Sequence, residues 1–554
     1  MRKRFLVFIF VVCVVAVAGV LSYRGYKVWR HARLMRQTKE FLAKSDGRNA
    51  LLCLQLALRS DPYDLEACRM MADFAELGRS PSALLWRQRV VDLEPDSITN
   101  RLLWARTALA LGDVGSAQKA LDTLDEPGRK TAAYHKTAGA VAVAASQLAE
   151  AARHFQEAVR LEPENASTRI NLAVLQLQAR DPVVAAGARA ALESLRTNAT
   201  VRTEALRQLT VDAARRNEPA SALSLVNELL RETNSVFADR LLHLDVLRQA
   251  KSPASPAALA ALQKDAATDP ARTFDVARWM LATGASQDAI AWILSMPPSM
   301  QTNQPLPLIL ADCYLATTNW PALLATLQQP TWGEMDFLRF LYRARALKER
   351  RMDTAAKAEW AKSVKAADGQ LDRLAVLQRS AGGWAWLAEQ EEVLWLIVNR
   401  YPREKWAFQP LAELLHARGN TRSLMVLFAR ALEMDPRNTS AKNNLAMVAL
   451  LLNAVEKKPH DLALELYQAD RGNPVYASTY SFSLYLQAKS PEAVLVLEGL
   501  KPEQLEEPSV AAYYGIALEA AGNKTKAKKF LDLAARARLL PEEKKLVDRA
   551  KARL

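Results

Sequence analysis

Apolar residues recur at three- and four-residue spacing along nearly the whole chain, in short runs punctuated by Gly, Pro or a polar stretch. That period predicts amphipathic α-helices rather than strands. One segment breaks the pattern: Phe5 to Tyr23, FLVFIFVVCVVAVAGVLSY, is nineteen residues without a charge. At 1.5 Å rise per residue it is long enough to cross the hydrocarbon of a bilayer. A cleaved signal peptide also fits, with Arg2-Lys3-Arg4 as its basic start and Ala16-Val17-Ala18 as the cleavage site. The apolar run continues past that site through Val20 and Leu21, which favours an anchor.

The helical runs repeat. A Pro after an acidic or polar residue follows an apolar run at Pro62, Pro95, Pro127 and Pro163, with spacings of 33, 32 and 36, and again at Pro402, Pro436, Pro474, Pro508 and Pro541, with spacings of 34, 38, 34 and 33. Interior positions keep the same grid. GNTRSLMVLFARALEMDP places Gly419, Phe428, Ala431 and Pro436 where SQLAEAARHFQEAVRLEP places Ser146, Phe155, Ala158 and Pro163, and where GRSPSALLWRQRVVDLEP has Gly78, Val90 and Pro95. Such a unit reads as a helical hairpin. The Gly or polar residue ends the first helix in a left-handed conformation, small residues let two helices approach, a large apolar residue fills the gap, and Pro stops the second helix.

These residues resemble the tetratricopeptide repeat family, a 34-residue helix–turn–helix unit. The resemblance is strong over 45–163 and 411–541 and weak over roughly 180–400; the Asn-Leu-small step of the first helix stands at Asn171-Leu172-Ala173 and Asn444-Leu445-Ala446. It implies an all-α, right-handed superhelical solenoid of antiparallel helix pairs, here preceded by one N-terminal transmembrane helix. The predicted organisation is an anchor with basic flanks (1–30), an N-terminal solenoid part (31–250), degenerate Trp-rich repeats (251–400), a C-terminal solenoid part (401–541) and a polar capping helix (542–554). His31 to Pro541 offers fifteen 34-residue slots. The proline-rich segments SPASP (252–256) and MPPSMQTNQPLP (296–307) are expected to consume some, leaving 12–14 hairpins with a joint near 250–310. The first repeat helix is expected near His31 to Lys44, with Leu34, Met35, Thr38, Phe41 and Leu42 on one face.

Charge alters the picture only at one end. The formal charge is +14 over 554 residues, but nine bases precede the first acid, Glu40, leaving 65 bases against 60 acids beyond it, a net of +5. A basic stripe for nucleic acid is therefore not expected. Arg24, Lys27, Arg30, Arg33, Arg36 and Lys39 wind around a helix as a collar fit for anionic headgroups, with Tyr23, Tyr26 and Trp29 as interfacial aromatics. Three bases before the apolar segment and six after it favour a cytoplasmic body, with the opposite side left open.

The pattern leaves no room for catalytic or cofactor chemistry. The six His are scattered without HExxH, the four Cys form no CxxC, and neither GxxxxGK[ST], GxGxxG nor GxSxG occurs. No catalytic, cofactor or metal residue is expected, nor a small-molecule substrate. The resemblance implies a non-enzymatic interaction scaffold binding protein or peptide in a groove lined by first helices, among whose residues are Arg69, Arg101, Arg169 and Lys442, with Lys442-Asn443 as a faint carboxylate clamp. Membrane-anchored bacterial proteins of this kind serve envelope, polysaccharide or secretion assembly. Nine of twelve Trp lie between 279 and 406. They read as hairpin core or, at Trp384 and Trp386, as an aromatic docking stretch, and one of those two is expected to be exposed because both cannot face one core on a helix. The alternatives are a nucleic-acid-binding helical repeat and the substrate-binding arm of an enzyme.

Overall fold

The computed structural model describes residues 25–328 and 331–554. Among them every regular element is helical, and no strand occurs. The apolar segment Phe5 to Tyr23, the predicted anchor, lies outside the described residues; among those described, no helix is long and apolar enough to cross a membrane. The chain divides into two compact units, Met1–Val276 and Ala277–Leu554.

In the first unit seven helix pairs follow one another, from 25–43 with Gly47–Ser60 to Phe237–Gln249 with Ser255–Ala266. In the second, seven more run from Leu306–Ala316 with Trp320–Thr326 to Pro508–Ala520 with Lys524–Leu533, and Pro541–Ala552 stands after them. Pro270–Ala282 and Ser286–Leu294 lie between these series in sequence. These fourteen pairs fall within the 12–14 hairpins expected, and the proline-rich segments do not displace helices. Pro256 and Pro307 sit in the first turn of Ser255–Ala266 and Leu306–Ala316, where a missing N–H costs nothing.

The prolines of the repeat divide into two kinds. Pro62, Pro95, Pro163 and Pro436 lie in the turn after a second helix, and a capping side chain follows two residues later: Asp64, Ser97, Asn165 and Asn438 each accept a hydrogen bond from the first turn of the next helix. Pro127, Pro474, Pro508 and Pro541 instead lie in the first turn of a following helix and stop nothing. Sequence spacing merges the kinds because they differ by only a few positions.

Turns within pairs share one closure. In thirteen of them one residue has positive φ and the next amide bonds to the carbonyl five residues back, as in Asn420 N to Leu415 O and Gln147 N to Ala142 O. Gly419 and Ser146 occupy the left-handed position as expected, with φ of 64° and 61°. Gly78 does not: its φ is −78°, and Arg79 takes the left-handed position at 48°. Helix length, not glycine placement, decides which residue falls there.

Several pairs are drawn together at a small first-helix residue. A Cβ on Gly139 would lie 2.9 Å from the Phe155 ring, and one on Gly515 would lie 2.7 Å from Leu531 Cγ. Ala105 and Ala173, 34 residues either side of Gly139, are buried at the same repeat position. Ser481 is equally buried and its hydroxyl donates to Ala493 O at 2.9 Å across the pair. Ion pairs tie neighbouring helices in the first unit. Buried Arg87 holds Asp73 at 2.7 Å and Glu76 at 2.5 Å in its own pair and donates to Thr107 Oγ1 at 3.2 Å in the next; Asp239, 1% exposed, is held by Arg207 at 2.6 Å. In the first helix Met35 and Thr38 are buried and Leu34 and Phe41 half-buried, while Leu42 is exposed, so the expected face is one residue too long.

Two outcomes follow from this packing. Arg79→Gly relieves a left-handed residue and should raise amide-exchange protection of the 65–93 hairpin by about 0.5–1 kcal/mol, whereas Gly78→Ala should lower nothing. Gly139→Ala should cost about 1–3 kcal/mol through the clash with Phe155. Combining it with Phe155→Leu should recover at least about 1 kcal/mol of coupling in a double-mutant cycle, and additive losses would refute the close-approach argument.

Candidate functional site

In the first unit the first helices Ile98–Ala110, Ala132–Ala144 and Ala166–Gln176 lie side by side and enclose a cleft of about 520 Å³. On Ile98–Ala110 the lining residues are Thr99, Leu102, Leu103, Arg106 and Leu109, a three- and four-residue stripe. Trp104, Ala105 and Ala108 are buried on the other side of the same helix. The next two helices repeat the stripe at 34-residue steps: Thr99, Ala133 and Ser167 are equivalent, as are Leu103, Thr137 and Asn171. These pairs keep the 34-residue step read from the sequence.

The cleft is apolar at the Leu102, Leu103 and Leu109 end and polar towards Asn165, Ser167 and Asn171. Lys136 Nζ and Asn165 Nδ2 both donate to Glu162 at 2.9 Å, and these two bonds hold the Glu162 carboxyl below its ordinary range. Arg106 and Asn171 are exposed on the lining, and Arg106 makes no ion pair among the described residues. An amide offers both a donor and an acceptor, and hydroxyls do the same, so the wall can bond an extended peptide backbone while Arg106 takes an acidic group.

The sequence candidates lie beside this stripe rather than on it. Arg69 pairs with Glu94, Arg169 donates to Ser194 Oγ at 3.1 Å, and Lys442 pairs with Glu465 at 2.8 Å. Ser194 and Glu465 belong to the second helix of the same pair, and Glu94 caps its end, so these cations staple a hairpin together. Arg101 is half-buried with its Nε unpartnered. Asn443 is 3% exposed with an unpartnered carbonyl oxygen, so the Lys442-Asn443 clamp does not form; its neighbour Asn444 lines a cleft instead. A helix turns 100° per residue, and the candidates miss the lining by one or two positions. The signal that finds it is the small residue of closest approach: two positions earlier stand Leu103, Thr137, Asn171, Asn444 and Tyr513, all lining residues.

Trp384 and Trp386 serve the interior of the second unit. They are not on a helix: Leu371–Gly383 ends before them, and Ala385 between them has φ of 55°. That turn aims both rings the same way, with centroids 5.0 Å apart, Trp386 buried and Trp384 half-buried on the core. The expectation that one is exposed therefore fails. Arg345 lies 5.1 Å from the Trp384 ring and 5.7 Å from the Trp386 ring, and Lys348 lies 4.0 Å from Trp386, so the protein's own cations occupy faces that a ligand would use. Trp332 and Trp360 are also buried, Trp360 donating to Glu392 at 2.8 Å, and Trp406 is exposed.

No group of three His, Cys, Asp or Glu side chains able to hold a metal occurs among the described residues. Burial pushes the Cys313 thiol up to about 12, leaving it protonated. No family model matches the chain, and no curated protein matches it. Among solved structures, PilF of Pseudomonas aeruginosa aligns at 15% identity over 41% of this chain and 99% of its own, with a TM-score of 0.32. A chain of the APC/C heterotetramer Cut9–Hcn1 aligns at 12% identity over 93% of this chain and 97% of its own, and a tetratricopeptide repeat protein from Parabacteroides merdae at 12% over 52% and 99%, each with a TM-score of 0.32.

One first-helix acid in the second unit titrates out of place. Burial raises the Asp312 carboxyl to about 6, partly offset by the Tyr342 hydroxyl donating to it at 2.5 Å. A raised folded-state value means stabilisation that is complete below the unfolded value near 4 and lost as pH rises through about 6. Protection of the 306–326 hairpin should therefore fall by about 1–3 kcal/mol between pH 4.5 and 7, and Asp312→Asn should flatten that dependence.

Proposed function

We propose that this chain is a non-enzymatic interaction scaffold that holds an extended peptide segment of a partner protein in the first-helix cleft of its N-terminal unit. The observation that carries the reading is the cleft itself: three first helices present equivalent positions at 34-residue steps, with leucines and the exposed Arg106 on the Ile98–Ala110 wall and amides and hydroxyls on the Ala166–Gln176 wall. An alternating apolar and polar strand of peptide with an acidic group satisfies both. The near-neutral charge of residues 40–554 speaks against nucleic acid as the ligand.

The scaffold is tethered to a membrane through Phe5 to Tyr23, with the body on the cytoplasmic side. Supporting this are the uncharged length of that segment, the six bases that come after it, and the exposed Tyr26 and Trp29 at the start of the first described helix, where Arg33 lies 5.4 Å from the Trp29 ring. The class of work the repeat type implies for such an anchored protein is assembly of envelope, polysaccharide or secretion machinery.

Capture from a detergent extract by the full chain, read by mass spectrometry, tests the cleft. Arg106→Glu with Asn171→Ala should deplete the captured partner tenfold or more, and Arg101→Ala, outside the lining, should leave it. Equal capture by all three proteins sinks the reading.

A further inference from the structure

The second unit has a first-helix cleft of its own, and the chain's C-terminus is in it. Gln409, Glu413, Asn444, Met447 and Tyr513 line a space of about 870 Å³ that Arg538, Leu539, Leu540 and Glu543 close on the remaining side. We propose that the segment Arg538–Ala552 is an intramolecular ligand of this cleft, and that the cleft's external partner is a peptide of the same chemistry: an extended apolar pair leading into a proline-started helix with two acids in its first turn.

Capping the last hairpin requires one face of the helix Pro541–Ala552, and Val547 and Ala550 supply it by packing with Phe530, Leu531 and Ala534. The rest of the segment does something a cap has no need to do. Leu540 is 4% exposed and joins the core formed by Leu424, Leu427 and Val448. Pro541 fits against Gly419, where a Cβ would come within 2.7 Å of its ring. Glu542 accepts from Thr421 Oγ1 at 2.5 Å, across 121 residues of chain, and Glu543 accepts from the Tyr513 hydroxyl. Leu546 lies with Met447, Leu450, Phe482, Tyr485 and Tyr513, an aromatic wall in which Phe482 and Tyr513 are 5.2 Å apart. Those five residues come from the first helices Thr439–Leu451, Pro474–Leu486 and Pro508–Ala520. The segment is thus held as an apolar-faced helix is held in a groove, with its acids paired to hydroxyls at the rim.

The connection from Lys524–Leu533 is only a few residues long, so the segment faces its cleft at an effective concentration of about millimolar, and an outside peptide must exceed that to displace it. The cleft is consequently shut to weak ligands and opens only to a closely matching one.

The test uses the full chain in detergent and a fluorescein-labelled synthetic peptide of residues 536–554, read by anisotropy. Weakening the resident segment with Leu540→Ala and Glu542→Ala should tighten peptide binding at least tenfold over wild type. A second variant, Gly419→Cys with Pro541→Cys, should bind peptide when reduced and lose binding when oxidised, which decides the matter even if the first variant folds poorly. Arg106→Glu with Asn171→Ala should not change peptide affinity; loss there would mean that the peptide enters the other unit's cleft and would overturn this proposal without touching the function proposed above. Equal affinity in oxidised and reduced forms, or hydrogen exchange of 541–552 as slow as that of 508–533, would identify the segment as a cap and nothing more.

Discussion

The contact on which the rest depends is the approach of the first helix to the second at a residue with almost no side chain. At Gly139 and Gly515 there is no space for a methyl group without moving Phe155 or Leu531. At Ala105 and Ala173 the methyl fits and is fully buried or nearly so. Close packing of this sort fixes rotation about the helix axis as well as distance, because only one side of a helix can present the small residue. Once the rotation is fixed, the residue two positions earlier must face outward, and that residue lines the cleft in both units.

A second layer of constraint acts at the helix ends. Left-handed closure within pairs and Asx or Ser caps between them satisfy backbone groups that would otherwise be stranded where helices meet. Arg, Lys, Ser, Thr and Ala all accept the left-handed position here, at a cost of order 1 kcal/mol each. Tertiary packing outweighs that local preference. Gly382 and Gly383 illustrate the point from the other side: both are helical, while Ala385 takes the left-handed conformation that brings Trp384 and Trp386 onto one core.

The aromatic stretch of the second unit adds large rings to the same helix-pair core. Trp360 and Trp386 meet edge to face with centroids 6.1 Å apart, and Arg345 and Lys348 lie over the Trp386 ring while pairing with Glu349 and Glu389. Buried rings supply a large apolar area to this core, and cations on a ring face cover it without a ligand.

The sequence by itself determined that the chain is helical and that its unit is a hairpin near 34 residues long, because period, proline and small residues are local properties read directly from residue types. It also determined the uncharged length of Phe5 to Tyr23 and the near neutrality of residues 40–554. The tertiary structure decided the rest. Whether a proline closes a helix or opens the next, as at Pro163 against Pro474, depends on a shift of a few residues that spacing tolerates. Whether Arg169 or Asn171 faces the cleft depends on an axial rotation that hydrophobic periodicity fixes only to within about one residue's 100°. That Glu542 reaches Thr421 depends on how successive pairs stack, a geometry summed over many small interhelical angles and carried by no single stretch of chain.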